Sequence, residues 1–167
     1  SDNYIIETNS PLGDFIDEFE QETINLSELI EKKEIEHFGG IVYSKQSEVP
    51  YKTNKKVITA SNMDLRTGKL IFGEKIIYLQ EDYELPEHIK PKTNDIIISN
   101  SSGSLKHLGK VVFVDKDYND SVIGGFLSIL RCKNEKLSRA IFSRMLSLPF
   151  RKYVSSLRGQ NINNMDL

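Results

Sequence analysis

The chain holds one cysteine, no tryptophan, three histidines and five prolines in 167 residues, and its formal net charge is only −2. A lone Cys132 cannot close an internal disulfide, which fits a reducing, cytoplasmic location. With His37, His88 and His107 at no ligand-like spacing, a structural zinc site is not expected. The longest apolar run, around Val122–Leu130, is interrupted by Gly124 and Gly125 and falls far short of a bilayer span, so no membrane role is expected. No basic-then-apolar opening with a small-residue cleavage site stands at the start, so no secretory signal is read there. The small net charge argues against a generic, charge-driven nucleic-acid binder. A hydrophobic content of 38% and a charged content of 28% are those of a soluble globular protein, long enough for one domain with its own core.

Catalytic patterns are missing as well. An adenine methyltransferase would carry an Asn/Asp-Pro-Pro-aromatic tetrapeptide and a glycine-rich cofactor loop, and the chain has neither. Gly39-Gly40 and Gly124-Gly125 lack the spacing of a phosphate-cradling loop. Ser102 and Ser104 have no nucleophile-elbow context, and Cys132 sits in apolar company suited to a core residue. A small nuclease would have to use Asp17, Glu31 and Lys33, which fall in a helix-period stretch whose charges suit a solvated face. The chain is therefore expected to be no enzyme, with no metal and no cofactor of its own.

Charge is unevenly shared. Residues 1–100 hold 11 Lys/Arg against 19 Asp/Glu, and residues 101–167 hold 11 against 5. That asymmetry either sets a positive face opposite a negative one or simply leaves an acidic, solubilising half.

Periodicity predicts an α+β domain, β-rich through the middle and helical at both ends. Residues 1–10 read as a leader of little pattern, disordered or left over from cloning, and residues 11–167 as a single domain. Leu12, Phe15, Ile16 and Phe19 fall at helical spacing within Pro11–Glu22. Asn25–Phe38 predicts a second helix, stopped by Gly39-Gly40. Short β-prone runs follow at Ile41–Tyr43, Lys56–Thr59, Lys69–Phe72 and Lys75–Leu79, with Gly68–Leu79 read as a hairpin. Leu85–Lys92 reads as a helical turn. Helices are then expected over Asn134–Leu148, with Leu137, Ala140, Ile141, Met145 and Leu148 inward, and over Pro149–Arg158.

Between them lies the most informative stretch, Lys90–Arg131. It holds three apolar strands, and the first, Asp95–Ser99, empties into Asn100-Ser101-Ser102-Gly103-Ser104, then Lys106, His107 and Lys110. Such a loop offers hydroxyl, amide, imidazole and ammonium groups, a set for hydrogen bonding a polar polymer rather than for chemistry on a small molecule. The order of segments here resembles the target-recognition domain of type I restriction-modification specificity subunits. Pro91, then Asp95-Ile96-Ile97-Ile98-Ser99, the Ser/Gly loop, Gly109–Val114 (GKVVFV) and Ser121–Arg131 (SVIGGFLSILR) are similar to its central part. PLGDFI (Pro11–Ile16), ITASNMDLRTGKL (Ile58–Leu70) and LRGQNINNMDL (Leu157–Leu167) are similar to three further segments, in the same order.

The resemblance implies a DNA methylase specificity-domain type of fold and sequence-specific binding of double-stranded DNA, one half of a bipartite site. It implies as partners methyltransferase and restriction subunits and a second target-recognition domain. S-adenosylmethionine, ATP and magnesium would bind those subunits. The family's spacer coiled-coil helix is absent, so the chain is expected to be one excised domain or a half-subunit that pairs with another copy. The same domain also occurs fused in single-chain methyltransferase–nucleases, and a protein-interaction domain that never touches DNA is the alternative of another class.

By residue type, Asn62 and Gln160 or Asn161 could pair with an adenine edge, and Arg66 or Arg158 could fork onto guanine. Arg151 shares a helix face with Arg158. Ser99, Asn100, Ser101, Ser102 and Ser104 suit base or phosphate contacts, as His107 does, and Lys106 and Lys110 suit phosphates. Asn62 fits turn chemistry before Gly68 equally well, and Asn161 fits a helix cap.

Overall fold

The computed structural model describes residues 26–99 and 109–146. Within them the fold is mixed α+β, with many short strands and few helices. The expected helices at Pro11–Glu22 and Pro149–Arg158, like the leader, lie outside the described residues.

Helix α1, Leu26–Glu31, is much shorter than the expected Asn25–Phe38. Lys33 takes a left-handed conformation (φ 57°), and the amides of Lys33 and Glu34 donate to the carbonyls of Ile30 and Leu29 at 3.0 and 2.8 Å. That is a Schellman stop built on lysine where glycine is usual, so the sequence carries no visible signal for it. Ile35–Gly39 then forms strand β1 instead of helix, because it pairs antiparallel along β10 (Leu127–Cys132), Ile35 opposite Cys132 and Gly39 opposite Ser128.

The first sheet is antiparallel in the order β1-β10-β7-β8, with β7 at Ile96–Ser99 and β8 at Val111–Phe113. The second runs β2 (Glu48–Val49), β6 (Ile77–Leu79), β3 (Lys56–Ile58), β9 (Ser121–Ile123), with β3 and β9 parallel. A small hairpin joins β4 (Met63–Asp64) to β5 (Lys69–Leu70). The expected Gly68–Leu79 hairpin is absent: β5 turns back onto β4, while β6 leaves to join β2 and β3. Of the Ile41–Tyr43 run only Ile41 makes a bridge, to Gly124. The turn expected at Leu85–Lys92 is present as one 3-10 turn, Glu87–Ile89.

The first sheet is buried on both faces, which is why β7 reads Ile-Ile-Ile rather than alternating. Ile96, Ile98, Val111 and Leu130 meet Leu29 of α1 and Ile141 and Met145 of helix α2 (Glu135–Met145). On the other side Ile97, Val112, Leu127 and Ile129 meet Ile58, Val122 and Ile123 from the second sheet. The layers are thus helices, sheet, sheet. Each such side chain contributes roughly 1.5–3 kcal/mol by leaving water.

Helix α2 starts at Asn134, whose side chain accepts from the Leu137 amide at 2.9 Å, and so realises most of the expected helix. Its inward stripe is rotated: Ser138 is buried and donates to the Asn94 carbonyl, whereas Ala140 faces water.

The two sheets meet at Gly124, where one apolar run divides into β9 of the second sheet and β10 of the first. The Gly124 amide donates to Ile58 and its carbonyl accepts from Leu127, at 2.8 and 3.0 Å. Gly40 passes so close that a Cβ on it would lie 1.8 Å from the Gly124 carbonyl oxygen, whereas one on Gly39 would meet nothing within 4 Å. Gly40→Ala is expected to lower unfolding free energy by more than ~3 kcal/mol and Gly39→Ala by under ~1 kcal/mol, compared by urea denaturation.

Cys132, at the end of β10, has its thiol pushed up to about 11, chiefly by burial. At pH 8 native protein should react with iodoacetamide about 100-fold more slowly than the urea-unfolded chain. The native rate should rise about tenfold per pH unit until near 11. A native rate equal to the unfolded one would contradict the burial.

Candidate nucleic-acid interface

The family-like segment Ile58–Leu70 lies along the outer edge of β8, beside the stem of the loop that follows β7. The first contact is through the backbone: the amide of Phe113 points away from β7 and donates to the Gly68 carbonyl at 2.8 Å. The second is through a side chain, Lys110 Nζ donating to the Ala60 carbonyl at 3.3 Å. The stem itself is closed by Ser99 N to Lys110 O (2.9 Å) and Gly109 N to Ser99 O (3.0 Å). Gly109 takes φ 71°, a value a side chain disfavours.

Within the segment, a 3-10 turn at Ala60–Asn62 leads into the β4–β5 hairpin. Asn62 is 2% exposed. Its Oδ1 accepts from the Thr59 amide at 3.0 Å and its Nδ2 donates to the carbonyls of Ile71 and Lys75, both at 3.2 Å. The whole amide is therefore committed to holding the hairpin base. Of the two readings of Asn62, the turn-forming one is correct, and a base-pairing amide is not available there.

The hairpin tip is braced by Asp64. Its carboxylate accepts from the Arg66 amide at 3.1 Å and from the Thr67 hydroxyl at 2.8 Å, and its carbonyl accepts from Gly68 N at 2.8 Å. The Thr67 hydroxyl, with the Arg66 amide and the Arg66 charge, holds the Asp64 carboxyl below its ordinary value. Gly68 takes φ 68° and lies over the Phe142 ring. The apex residues Leu65, Arg66 and Thr67 are exposed.

Four of the candidate residues fall among the described ones, and the structure separates them. Arg66 is exposed, as a contact residue must be. Ser99 is fully buried, its hydroxyl without a hydrogen-bond partner among the described residues, so it does not belong to a contact surface. Lys110 is half-buried and turned onto Ala60, which makes it a strut between the loop stem and the turn. Asn62 is internal. Asn100, Ser101, Ser102, Ser104, Lys106, His107, Arg151, Arg158, Gln160 and Asn161 lie outside the described residues. Glu31 and Lys33, two of the three residues a nuclease would need, sit at the end of α1, and Asp17 lies outside; among the described residues no three His, Cys, Asp or Glu side chains gather as a metal site. Asp64 and Thr67 went unread in the sequence, although Asp followed three residues later by Thr-Gly is an Asx-turn pattern.

The acidic stretch Glu28–Glu36 forms α1 and the start of β1, at one edge, and the hairpin borders β8, at the other. Three strand spacings separate these edges, roughly 14 Å.

Asn62→Ala should cost ~2–3 kcal/mol in urea unfolding, because it strips the Thr59 amide and two carbonyls of their partner. Arg66→Ala should change stability by less than ~0.5 kcal/mol. Equal effects of the two substitutions would refute this division of roles.

No family model matches the chain, and no curated protein matches it. Among solved structures, the chain is similar to one from a structure concerning complex assembly and conformational transition of the type I R-M system. The identity is 10% and the TM-score 0.47; the similarity covers 74% of this chain and only 28% of that one.

Proposed function

We propose that this chain is a DNA target-recognition domain of the type I restriction-modification kind, a non-catalytic reader of one half of a split duplex site. The carrying observation is that Ile58–Leu70 is fastened along the β8 edge, by Lys110 donating to Ala60 and by Phe113 donating to Gly68. Ile58–Leu70 and the residues entering β8 thereby share one sheet edge, with the acidic Glu28–Glu36 stretch at the opposite edge. Binding is the mechanism: guanidinium and polar groups meet base edges while other cations fix register on phosphates. Methylation and cleavage, with S-adenosylmethionine, ATP and magnesium, belong to partner subunits, and a second target-recognition domain reads the other half-site.

A protein-docking role has one observation in its favour. Val42 and Phe126 are 89% and 61% exposed, and Val42 stands against Gly125, the residue next to Phe126. Salt separates the two readings, since affinity for a duplex falls with a log–log slope of about −0.9 per neutralised phosphate.

Selection of random duplexes on the full chain at low salt should enrich a motif of about three to five base pairs. Its affinity should exceed that for scrambled duplex and weaken steeply between low and physiological salt. Retention that is indifferent to both sequence and salt would sink the proposal.

A further inference from the structure

The β4–β5 hairpin is more ordered at its apex than a surface turn needs to be. Asp64 fixes three successive residues through its carboxylate and carbonyl, Asn62 clamps the base, and Gly68 is tied to β8 and rests on Phe142. What this scaffold presents is an exposed cation that makes no ion pair among the described residues, beside an apolar neighbour. Of the basic side chains in residues 58–70, Lys69 pairs with Asp115 at 3.4 Å, whereas Arg66 has no ion-pair partner among the described residues. Leu65, next to it, is 57% exposed.

Resting on the duplex-DNA reading above, we infer that the apex Leu65-Arg66-Thr67 is a pre-ordered finger that enters the major groove. In it Arg66 is the base-reading group and Asp64 its positioning residue. A two-stranded ribbon fits that groove, and an arginine fork onto guanine is a strong discriminating contact there. The brace removes the ordering cost that a loose turn would meet on binding. The Asp64 carboxylate has a second effect. Its negative charge beside the guanidinium weakens indiscriminate capture by phosphate, yet leaves the directional fork to a base edge intact. Asp64 thus trades affinity for selectivity.

The test uses the full chain, the duplex enriched by selection and a scrambled duplex, with dissociation constants measured across salt. Arg66→Ala should cut the ratio of specific to scrambled affinity about tenfold or more. Arg66→Lys should keep scrambled affinity near wild type without restoring the ratio, because a point charge replaces a fork. Asp64→Asn keeps an acceptor for the Arg66 amide. It should leave the thermal unfolding midpoint nearly unchanged, tighten scrambled binding and lower the ratio. If wild type is selective and all three variants keep its ratio, the finger is wrong while the DNA reading stands. If wild type shows no selectivity, the DNA reading fails and the finger with it.

Discussion

The fold turns on the pairing of Asp95 with Arg131. Asp95 precedes β7 and is 1% exposed; Arg131 lies across from it near the end of β10. The guanidinium reaches both carboxylate oxygens, at 3.0 and 2.9 Å, and also the Lys90 carbonyl, while the Lys92 amide caps the same carboxylate. Phe38 of β1 covers the guanidinium face at 5.1 Å. One ion pair thus ties β1, β7, β10 and the turn before β7 together. Burial pushes the Asp95 carboxyl up, against Arg131 and the Lys92 amide, which pull it down. With a donor on each oxygen, the ionised form is the one that fits. Removing either partner of such a buried pair leaves a charge stranded, at a cost of about 3–5 kcal/mol. The pair contributes register more than net stability, for it fixes β7 against β10 by geometry that a one-residue slip would destroy.

Register matters because β7 ends where the candidate interface begins. Asp95 sets the start of the strand and Ile96–Ile98 are held on both faces, so the position of Ser99 is determined. From there Gly109 and Lys110 return the chain into β8, whose outward amide at Phe113 carries the hairpin. The path from buried ion pair to Arg66 is therefore a series of backbone hydrogen bonds between packed strands. A side chain on such a scaffold is positioned by the core.

Much of the architecture was legible in the sequence, and the failures have identifiable causes. β7 was visible as an unbroken apolar run after Asp95, and α2 as a helical period over Asn134–Leu148. The end of α1 was not visible, because Lys33 adopts a left-handed conformation that sequence associates with glycine. Gly124-Gly125 looked like an interruption in one strand and is the corner between two sheets, a fact that depends on the approach of Gly40 from elsewhere in the chain. The candidate site divided along the same line. Of the four candidates among the described residues, Arg66 is exposed, whereas Asn62, Ser99 and Lys110 are turned inward by contacts across the fold, which residue type alone does not reveal. Type says what a group can bind, and burial decides whether it is available.

On the duplex-DNA reading proposed above, a chain with net charge −2 would have to obtain its affinity locally. Counterion release rewards every cation that meets a phosphate, whatever the sequence, so a uniformly basic surface would bind strongly and discriminate poorly. At the β8 edge Asp64 and Asp115 stand beside Arg66 and Lys69, so cations there are offset by carboxylates and general attraction to phosphate would be weak. At that edge Lys69 is paired with Asp115, and Lys110 is tied down onto the Ala60 carbonyl, so neither ammonium is free to follow a phosphate. The contacts that remain are directional, and their value depends on the base presented. For a domain reading half of a split site, as proposed above, modest affinity with high discrimination would be the useful combination. Two linked domains multiply their affinities through effective concentration, and neither half then holds DNA wherever it lands.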